Sequence, residues 1–192
     1  MKILVIKEEH VYKLLNKILL IIMNIGTIIV ALFEFSNNKY DRVMTFIAIF
    51  PILLIPFIMN RTKFKLSDKE VFLYYIFILI ADFIGCVCNL YNNVSWYDIF
   101  VHFLSGMFTF VLATIIYRLI SNDKNKILKM LFCLGIVCII AIFWEMFEFS
   151  IDNIASTNLQ HNQDTGVVDT MQDMIVAMLG GIISSIYMWI KK

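Results

Sequence analysis

Basic residues are missing from two long parts of this 192-residue chain. No lysine or arginine occurs in residues 71–117 or 130–190, although these two stretches hold eight carboxylates. The acids are Asp82, Asp98, Glu145, Glu148, Asp152, Asp164, Asp169 and Asp173. This absence excludes an ion pair between these acids and a lysine or arginine of the same stretches, so any compensating charge must come from elsewhere.

Charged residues of either sign are also scarce. They make up 16% of the chain, whereas a typical soluble domain has about 25%. Hydrophobic residues account for 60%, which is typical of an integral membrane protein. The basic residues border the apolar stretches and form no separate patch, so the sequence indicates no nucleic-acid binding. The sequence also lacks a glycine-rich phosphate loop, a Gly-x-Ser-x-Gly elbow and a Cys/His nucleophile pair.

Six apolar stretches approach the roughly 20 residues that a transmembrane helix needs. They predict helices near 14–33, 43–59, 71–90, 98–117, 130–149 and 172–190. The first stretch is too long for a signal-peptide core, so we expect it to be retained. Pro51 and Pro56 should bend the second helix. The predicted fold class is therefore an all-α integral membrane protein, a six-transmembrane-helix bundle that forms one polytopic domain over residues 1–192.

The four cysteines lie inside these apolar stretches, at Cys86, Cys88, Cys133 and Cys138. Their spacing is not that of a zinc knuckle, and their predicted depth disfavours disulfides. We expect all four to be small buried hydrophobic residues.

The distribution of basic residues predicts the orientation. Fourteen of them lie at the N-terminus, in the second and fourth loops and in the C-terminal tail, against two, Lys39 and Arg42, on the other side. The positive-inside rule then places both termini in the cytoplasm. The loops around 92–97 and 153–169 face the exterior.

This orientation is testable by labelling. A reporter fused after Lys192 should be cytoplasmic. A cysteine introduced at Asn158 should react with an impermeant thiol reagent added to intact cells. Reaction only after the membrane is broken would reverse the predicted orientation.

In this orientation the acids converge near the outer ends of the helices. Asp98 begins the fourth helix, with His102 one turn deeper, about 6 Å along the axis. The fifth helix ends on three acids and the sixth begins with two, at Glu145, Glu148, Asp152, Asp169 and Asp173. Asp82 lies deeper, in the third helix. Each set follows i,i+3 or i,i+4 spacing, so its like charges share one face and repel one another without a counter-ion. We expect a cavity that opens to the exterior.

Carboxylate and imidazole groups on facing helices are the ligands with which helical bundles bind metals. One histidine among oxygen ligands suits Mg²⁺, Mn²⁺, Fe²⁺ or Zn²⁺. The predicted metal ligands are Asp98, His102, Glu145, Glu148, Asp169 and Asp173. Asp82 and Asp152 are predicted to have accessory or substrate-binding roles, and Glu145 is the candidate acid/base. Three glycines, Gly106, Gly180 and Gly181, should allow close approach of the helices that hold these ligands.

Simpler roles remain open for the same residues. Asp98, in a Ser-x-x-Asp sequence, and Asp169 match helix N-capping patterns. Asp152 and Asp164 fit solvated loop acids, Glu148 fits an acid that reaches the membrane interface, and His102 fits a buried bundle histidine. Glu145 and Asp82 lie at membrane depth, where protonation is the alternative to a bound cation.

The aromatic residues at the helix ends, Trp96, Tyr97, Trp144 and Trp189, are typical of an interfacial belt.

Three segments resemble the YjdF-like family, a group of bacterial inner-membrane proteins without an established activity. They read WYDIFVHFLSG from Trp96, WEMFEFSID from Trp144, and TGVVDTMQD from Thr165, followed by the Gly180–Gly181 pair. The resemblance implies that Asp98, His102, Glu145, Glu148, Asp169 and Asp173 are the family's motif positions. The loop before Asp169 is less rich in glycine than the family's pattern. A fainter likeness, in helix placement and polar spacing, links the chain to VanZ-like proteins, which are associated with resistance to a lipid-tailed glycopeptide.

Two classes of function fit these observations, with a third behind them. The first is a metal-dependent enzyme that acts on a lipid-linked or envelope substrate at the outer leaflet of a bacterial cytoplasmic membrane. The second is a cation- or proton-coupled transporter with Asp82 as a deeper relay. The third is a non-enzymatic accessory protein of the envelope or of antibiotic resistance. A transport route predicts acids that continue toward the cytoplasm, and the helices have none below Asp82, which favours the enzyme or a binding site.

Overall fold

The computed structural model describes residues 2–38, 40–155 and 167–190. Within these ranges the protein is all-helical and has no β-strand. The helices are α1 (Lys2–Ser36), α2 (Tyr40–Met59), α3 (Asp68–Ile78), α4 (Leu90–Asn93), α5 (Tyr97–Ile120), α6 (Lys126–Ala155) and α7 (Val167–Ile190). A π-helix, Leu79–Val87, continues α3. Residues that lie outside the described ranges include Lys39, Asn158, Asp164, Lys191 and Lys192.

Five of the described helices are long and apolar enough to cross a membrane. The candidate spans are Glu9–Ser36, Asp68–Val87, Tyr97–Ile120, Lys126–Ile154 and Val167–Ile190. The predicted second span lies in α2, whose described apolar part is Ile49–Met59. The all-helical membrane class is therefore confirmed. The sixth span and the cytoplasmic location of both termini stay predictions.

Large apolar side chains cover the outside of these helices. Ile29 and Leu32 of α1, Phe143 of α6 and Leu179 of α7 are all exposed. Soluble proteins rarely expose extended apolar surface of this kind. We therefore assign these faces to contact with lipid.

The chain divides into two compact units, Met1–Leu90 and Tyr91–Lys192. In the first unit, α1, α2 and α3 pack around a core that includes Met23, Leu53 and Tyr75. The expected single domain over residues 1–192 stays a prediction.

The two prolines of α2 shape the packing of the first unit. Pro56 has no N–H, so it cannot donate the helical hydrogen bond to the carbonyl of Ile52. The hydroxyl of Tyr74, on α3, donates to this carbonyl instead, at 2.7 Å. A tyrosine of the neighbouring helix thus satisfies a backbone acceptor that would otherwise be buried in apolar surroundings.

Helix α3 has a well-defined start. Ser67 and Glu70 form a capping box, in which each side chain accepts a hydrogen bond from the other residue's backbone N–H. The π-helical continuation contains Asp82, which is half-buried. It ends before Asn89, whose φ of 57° is in the left-handed region that asparagine tolerates better than most residues. Asp82 thus lies in the first unit, on a wider helical turn of a kind that is frequent at functional sites.

The second unit is a three-helix bundle of α5, α6 and α7. Side-chain contacts show that α5 and α7 run in the same direction, with α6 antiparallel to both. Its core contains Phe110, Ala113, Cys133 and Val137. This arrangement brings the N-terminal ends of α5 and α7 beside the C-terminal end of α6.

The cysteines differ in their environment. All four are free. Cys133 is buried in the core of the second unit, whereas Cys86 and Cys138 are half-buried and Cys88 is exposed. The expectation of burial is therefore wrong for Cys88. The reason is that the helical segment ends at Val87, so Cys88 lies in the turn that follows.

Candidate functional site

Helix α5 places an acid and a histidine on one face near its start. Asp98 and His102 are one turn apart, and Asp98 Oδ1 lies 3.4 Å from His102 Nε2. His102 is buried and Asp98 is half-buried. The preceding residues form no capping box, because the N-cap residue is Trp96 and its side chain makes no capping hydrogen bond. The Ser95-to-Asp98 capping pattern, one of the simpler roles left open from the sequence, is therefore not formed at the N-cap, and the Asp98 carboxylate faces His102.

The other two helices bring acids to the same imidazole. Glu145 of α6 places Oε1 at 3.9 Å from His102 Nδ1. Asp173 of α7 places Oδ2 at 4.0 Å from His102 Nε2. One buried histidine is thus surrounded by carboxylates from all three helices of this unit. We refer to Asp98, His102, Glu145 and Asp173 as the His102 cluster.

Small residues explain why α5 and α7 lie close enough for this arrangement. A Cβ added to Gly106 would overlap the backbone of Ala177 on α7, at 2.6 Å from its carbonyl carbon. A Cβ added to Gly180 would overlap the carbonyl oxygen of Phe103. Because these glycines have no side chain, the two backbones meet directly one turn below His102 and Asp173. Gly181 instead faces the side chain of Val137 on α6.

Two oxygens of the His102 cluster are buried without a hydrogen-bond partner. They are Oε1 of Glu145 and Oδ1 of Asp173. The residues themselves are only 5% and 2% exposed. An unsatisfied buried polar atom costs about 1–3 kcal/mol, and more when it is charged. Either a proton or a bound cation would compensate these buried oxygens.

Glu148 lies beside the cluster and is half-buried. Its Oε1 accepts a hydrogen bond of 2.7 Å from the indole Nε1 of Trp144, one turn earlier on α6. Glu145 receives a side-chain hydrogen bond from Thr170 of α7. The sequence interpretation missed both donors. It assigned Trp144 to the interfacial belt alone, although its i,i+4 spacing from Glu148 was a usable signal.

Two overlapping sets of ligand atoms share His102. One set is Asp98, His102 and Asp173, and the other is His102, Glu145 and Glu148. Within each set the ligand atoms lie within 4.8 Å of one another. Metal–ligand bonds of about 2.0–2.2 Å place ligand atoms about 3–4 Å apart, so small side-chain movements would let either set close around one ion. The donor atoms therefore fit a divalent cation.

The remaining predicted site residues do not belong to either set. Asp169 is half-buried in the first turn of α7, inside the helix. Asp152 is half-buried near the end of α6. Asp82 belongs to the first compact unit. Metal binding by Asp169 and accessory roles for Asp152 and Asp82 stay predictions.

Comparison with known proteins gives one family. Residues 16–192 match the family described as "Predicted membrane protein (DUF2238)". No curated protein and no solved structure matches the chain. The match includes every helix of the second unit and the whole His102 cluster, so the chain belongs to this family of predicted membrane proteins.

Proposed function

We propose that the His102 cluster binds a divalent metal ion and that the protein is a metal-dependent enzyme of the bacterial cytoplasmic membrane. Its substrate would be a lipid-linked or envelope molecule reached from the extracytoplasmic face. The observation that carries the metal site is the pair of buried, unsatisfied oxygens on Glu145 and Asp173. The segments that resemble the YjdF-like group contain the same residues.

A metal ion explains the cluster better than protonation does. A proton removes the charge of one carboxylate, but the remaining oxygens of Glu145 and Asp173 would still need donors. An ion neutralises several carboxylates and satisfies their lone pairs at once. The second unit cannot supply the charge near the cluster from its spans, because residues 130–190 contain no lysine or arginine. The donor set of carboxylates with one imidazole favours Mg²⁺, Mn²⁺, Fe²⁺ or Zn²⁺.

The positions of the acids favour an enzyme or a binding site over a transport route. Ionisable residues along a helix mark the pathway of a transported ion. In α5, α6 and α7 the acids are confined to one end, because residues 103–120, 126–144 and 174–190 contain no aspartate or glutamate. The charged residues of these ranges are basic and lie near the loop at the other end. The His102 cluster is thus a terminal site within this unit. The transporter alternative instead requires a route on which Asp82 acts as a deeper relay.

The location of the cluster supports a membrane-bound substrate. Trp144 and Phe147, beside Glu148 on α6, are exposed apolar side chains. A substrate with a lipid tail would lie against such a face while its polar head reaches the cluster. A bound divalent ion supplies Lewis-acid activation of a polar group or of a water molecule. Glu148 supplies a carboxylate for acid–base chemistry beside it.

Metal analysis of the full-length protein tests this proposal. Protein purified in detergent without chelator should contain about one divalent ion per chain, and His102→Ala should remove it. His10→Ala is the matched control, because His10 is exposed on α1 and its loss should leave the metal content unchanged. A metal-free wild-type protein that also fails to take up added Mn²⁺ or Zn²⁺ would exclude the site.

The same variants test the enzymatic part. Wild-type protein loaded with metal, incubated with a total envelope lipid extract, should consume a lipid-linked species that mass spectrometry detects. His102→Ala should leave that species intact, and His10→Ala should consume it. Metal binding without any lipid conversion would favour the transport or accessory alternatives, which uptake of the ion into vesicles then separates.

A further inference from the structure

The two ring nitrogens of His102 face different carboxylates. Nε2 lies 3.4 Å from Asp98 and 4.0 Å from Asp173. Nδ1 lies 3.9 Å from Glu145. The two nitrogens of one imidazole thus face two groups of carboxylates, and a neutral imidazole can offer a lone pair at only one of them.

The carboxylates on the two sides differ in their hydrogen bonds. In the set of His102, Glu145 and Glu148, Trp144 donates to Glu148 and Thr170 donates to Glu145. On the Nε2 side, Oδ1 of Asp173 is buried and has no donor, and the residue is only 2% exposed. Each side therefore has one buried oxygen without a donor, Oε1 of Glu145 and Oδ1 of Asp173. The two side-chain donors reach only Glu145 and Glu148, so Oδ1 of Asp173 is the oxygen that an added partner would satisfy.

Metal-binding histidines almost always donate their second ring N–H to a carboxylate or carbonyl. This hydrogen bond selects the tautomer and orients the ring. Glu145 is suited to accept it, because its Oε1 faces Nδ1 and has no other hydrogen-bond partner. The separation of 3.9 Å exceeds a hydrogen bond and would shorten when an ion fixes the ring.

We propose that His102 binds the ion through Nε2 together with Asp98 and Asp173, and donates Nδ1–H to Glu145. Glu145 is then a positioning residue rather than a ligand, and this assignment replaces the acid/base role predicted for it. The proposal rests on the metal site proposed above. It assigns the ligands to α5 and α7, the two helices whose backbones meet at Gly106 and Gly180, and the orienting acid to α6.

Nuclear magnetic resonance of the cadmium-loaded protein distinguishes the two nitrogens. Full-length protein in detergent, labelled with ¹⁵N-histidine and loaded with ¹¹³Cd²⁺, should show ¹¹³Cd–¹⁵N coupling at Nε2 of His102. Nδ1 should keep its proton. The His102→Ala spectrum assigns the signal, since it removes one of only three histidines. Coupling at Nδ1, or at both nitrogens, would overturn the assignment.

Affinity measurements on variants give a second, independent readout. Glu145→Ala should weaken Cd²⁺ binding by about 10–100-fold, as loss of an orienting partner does. Coupling at Nε2 should persist. Glu145→Gln keeps an acceptor and should bind nearly as tightly as wild type. Asp173→Asn should bind more weakly than Glu145→Ala, because it changes a ligand.

The outcomes separate this assignment from the proposed function. If Glu145→Gln loses binding and Asp173→Asn retains it, the ion lies on the Nδ1 side. The assignment then fails while the metal site stands. If wild-type protein binds no Cd²⁺, Mn²⁺ or Zn²⁺, both fail together.

Discussion

Chelation of the divalent ion at neutral pH should lower the thermal unfolding midpoint of the purified protein by about 5–15 °C. An ion present at 100–1,000 times its Kd stabilises the folded state by about 2.7–4.1 kcal/mol. For a chain of this length each kcal/mol corresponds to roughly 2–4 °C. Removal of the ion leaves the buried oxygens of Glu145 and Asp173 without a partner. Scanning fluorimetry with chelator, and then with Mn²⁺ or Zn²⁺ restored, measures the shift.

The chelator effect should become smaller as the pH falls. Metal and protons compete for the same carboxylate and imidazole atoms. Acidification therefore removes the ion from the folded protein even without chelator, and the two midpoints should converge. A shift that grows at low pH would contradict a site made of these ligands.

A double variant serves as the control for the metal response. His102→Ala together with Glu145→Gln removes the imidazole and one buried charge, so the midpoint should no longer respond to chelator or metal. The bundle should still fold, because both changes reduce buried polarity. The alternative hypothesis, in which the acids are protonated and no metal binds, predicts the opposite pattern. The unfolding midpoint of the wild-type protein should then not respond to chelator, and Glu145→Gln should be as stable as wild type or more stable. That pattern would contradict the proposed metal site.

Gly106→Ala should destabilise the second unit by about 3 kcal/mol and abolish metal binding. The new Cβ would overlap the backbone of Ala177 on α7. Overpacking of a well-packed core costs about 1–3 kcal/mol, occasionally more, and a backbone obstacle cannot rotate away as a side chain can. The two helices must separate, which carries His102 away from Asp173. Thermal unfolding and metal content of the same preparation measure both effects.

Gly135→Ala is the matched control for this substitution. Gly135 lies in α6, and a Cβ there would meet nothing within 4 Å. Alanine also favours a helix over glycine by about 0.8–1.0 kcal/mol. The control should therefore be neutral or slightly stabilising and should bind metal like wild type. Equal losses in Gly106→Ala and Gly135→Ala would show that the close contact between α5 and α7 is not what holds the cluster together.

Side-chain periodicity explains which parts of the site the sequence predicted. The i,i+4 spacing of Asp98 and His102 places both on one face of α5 whatever that face packs against. Their contact at 3.4 Å follows from this local geometry. The absence of a side chain at Gly106, Gly180 and Gly181 likewise predicted close helix approach. Such features depend only on residues within one or two turns.

The missed features depend on contacts beyond one helix, or on where a helix ends. Thr170 and Glu145 are far apart in the chain, so their hydrogen bond requires knowledge of how α6 packs against α7. Cys88 is exposed because the helical segment stops at Val87, and element ends are the least certain part of a periodic pattern. Trp144 was predictable from spacing, but its apolar ring is equally suited to the membrane interface.

By itself the sequence determined that this is an all-helical membrane protein with acids in two stretches, 71–117 and 130–190, that contain no lysine or arginine. Composition and the length of apolar runs suffice for that, since they set the cost of leaving water. The tertiary structure decided which acids meet. Asp98, Glu145 and Asp173 surround His102. Asp169 is also an acid and lies on the same helix as Asp173, but it belongs to neither ligand set. A periodic pattern defines the face of a helix, but only packing defines the neighbour that this face meets.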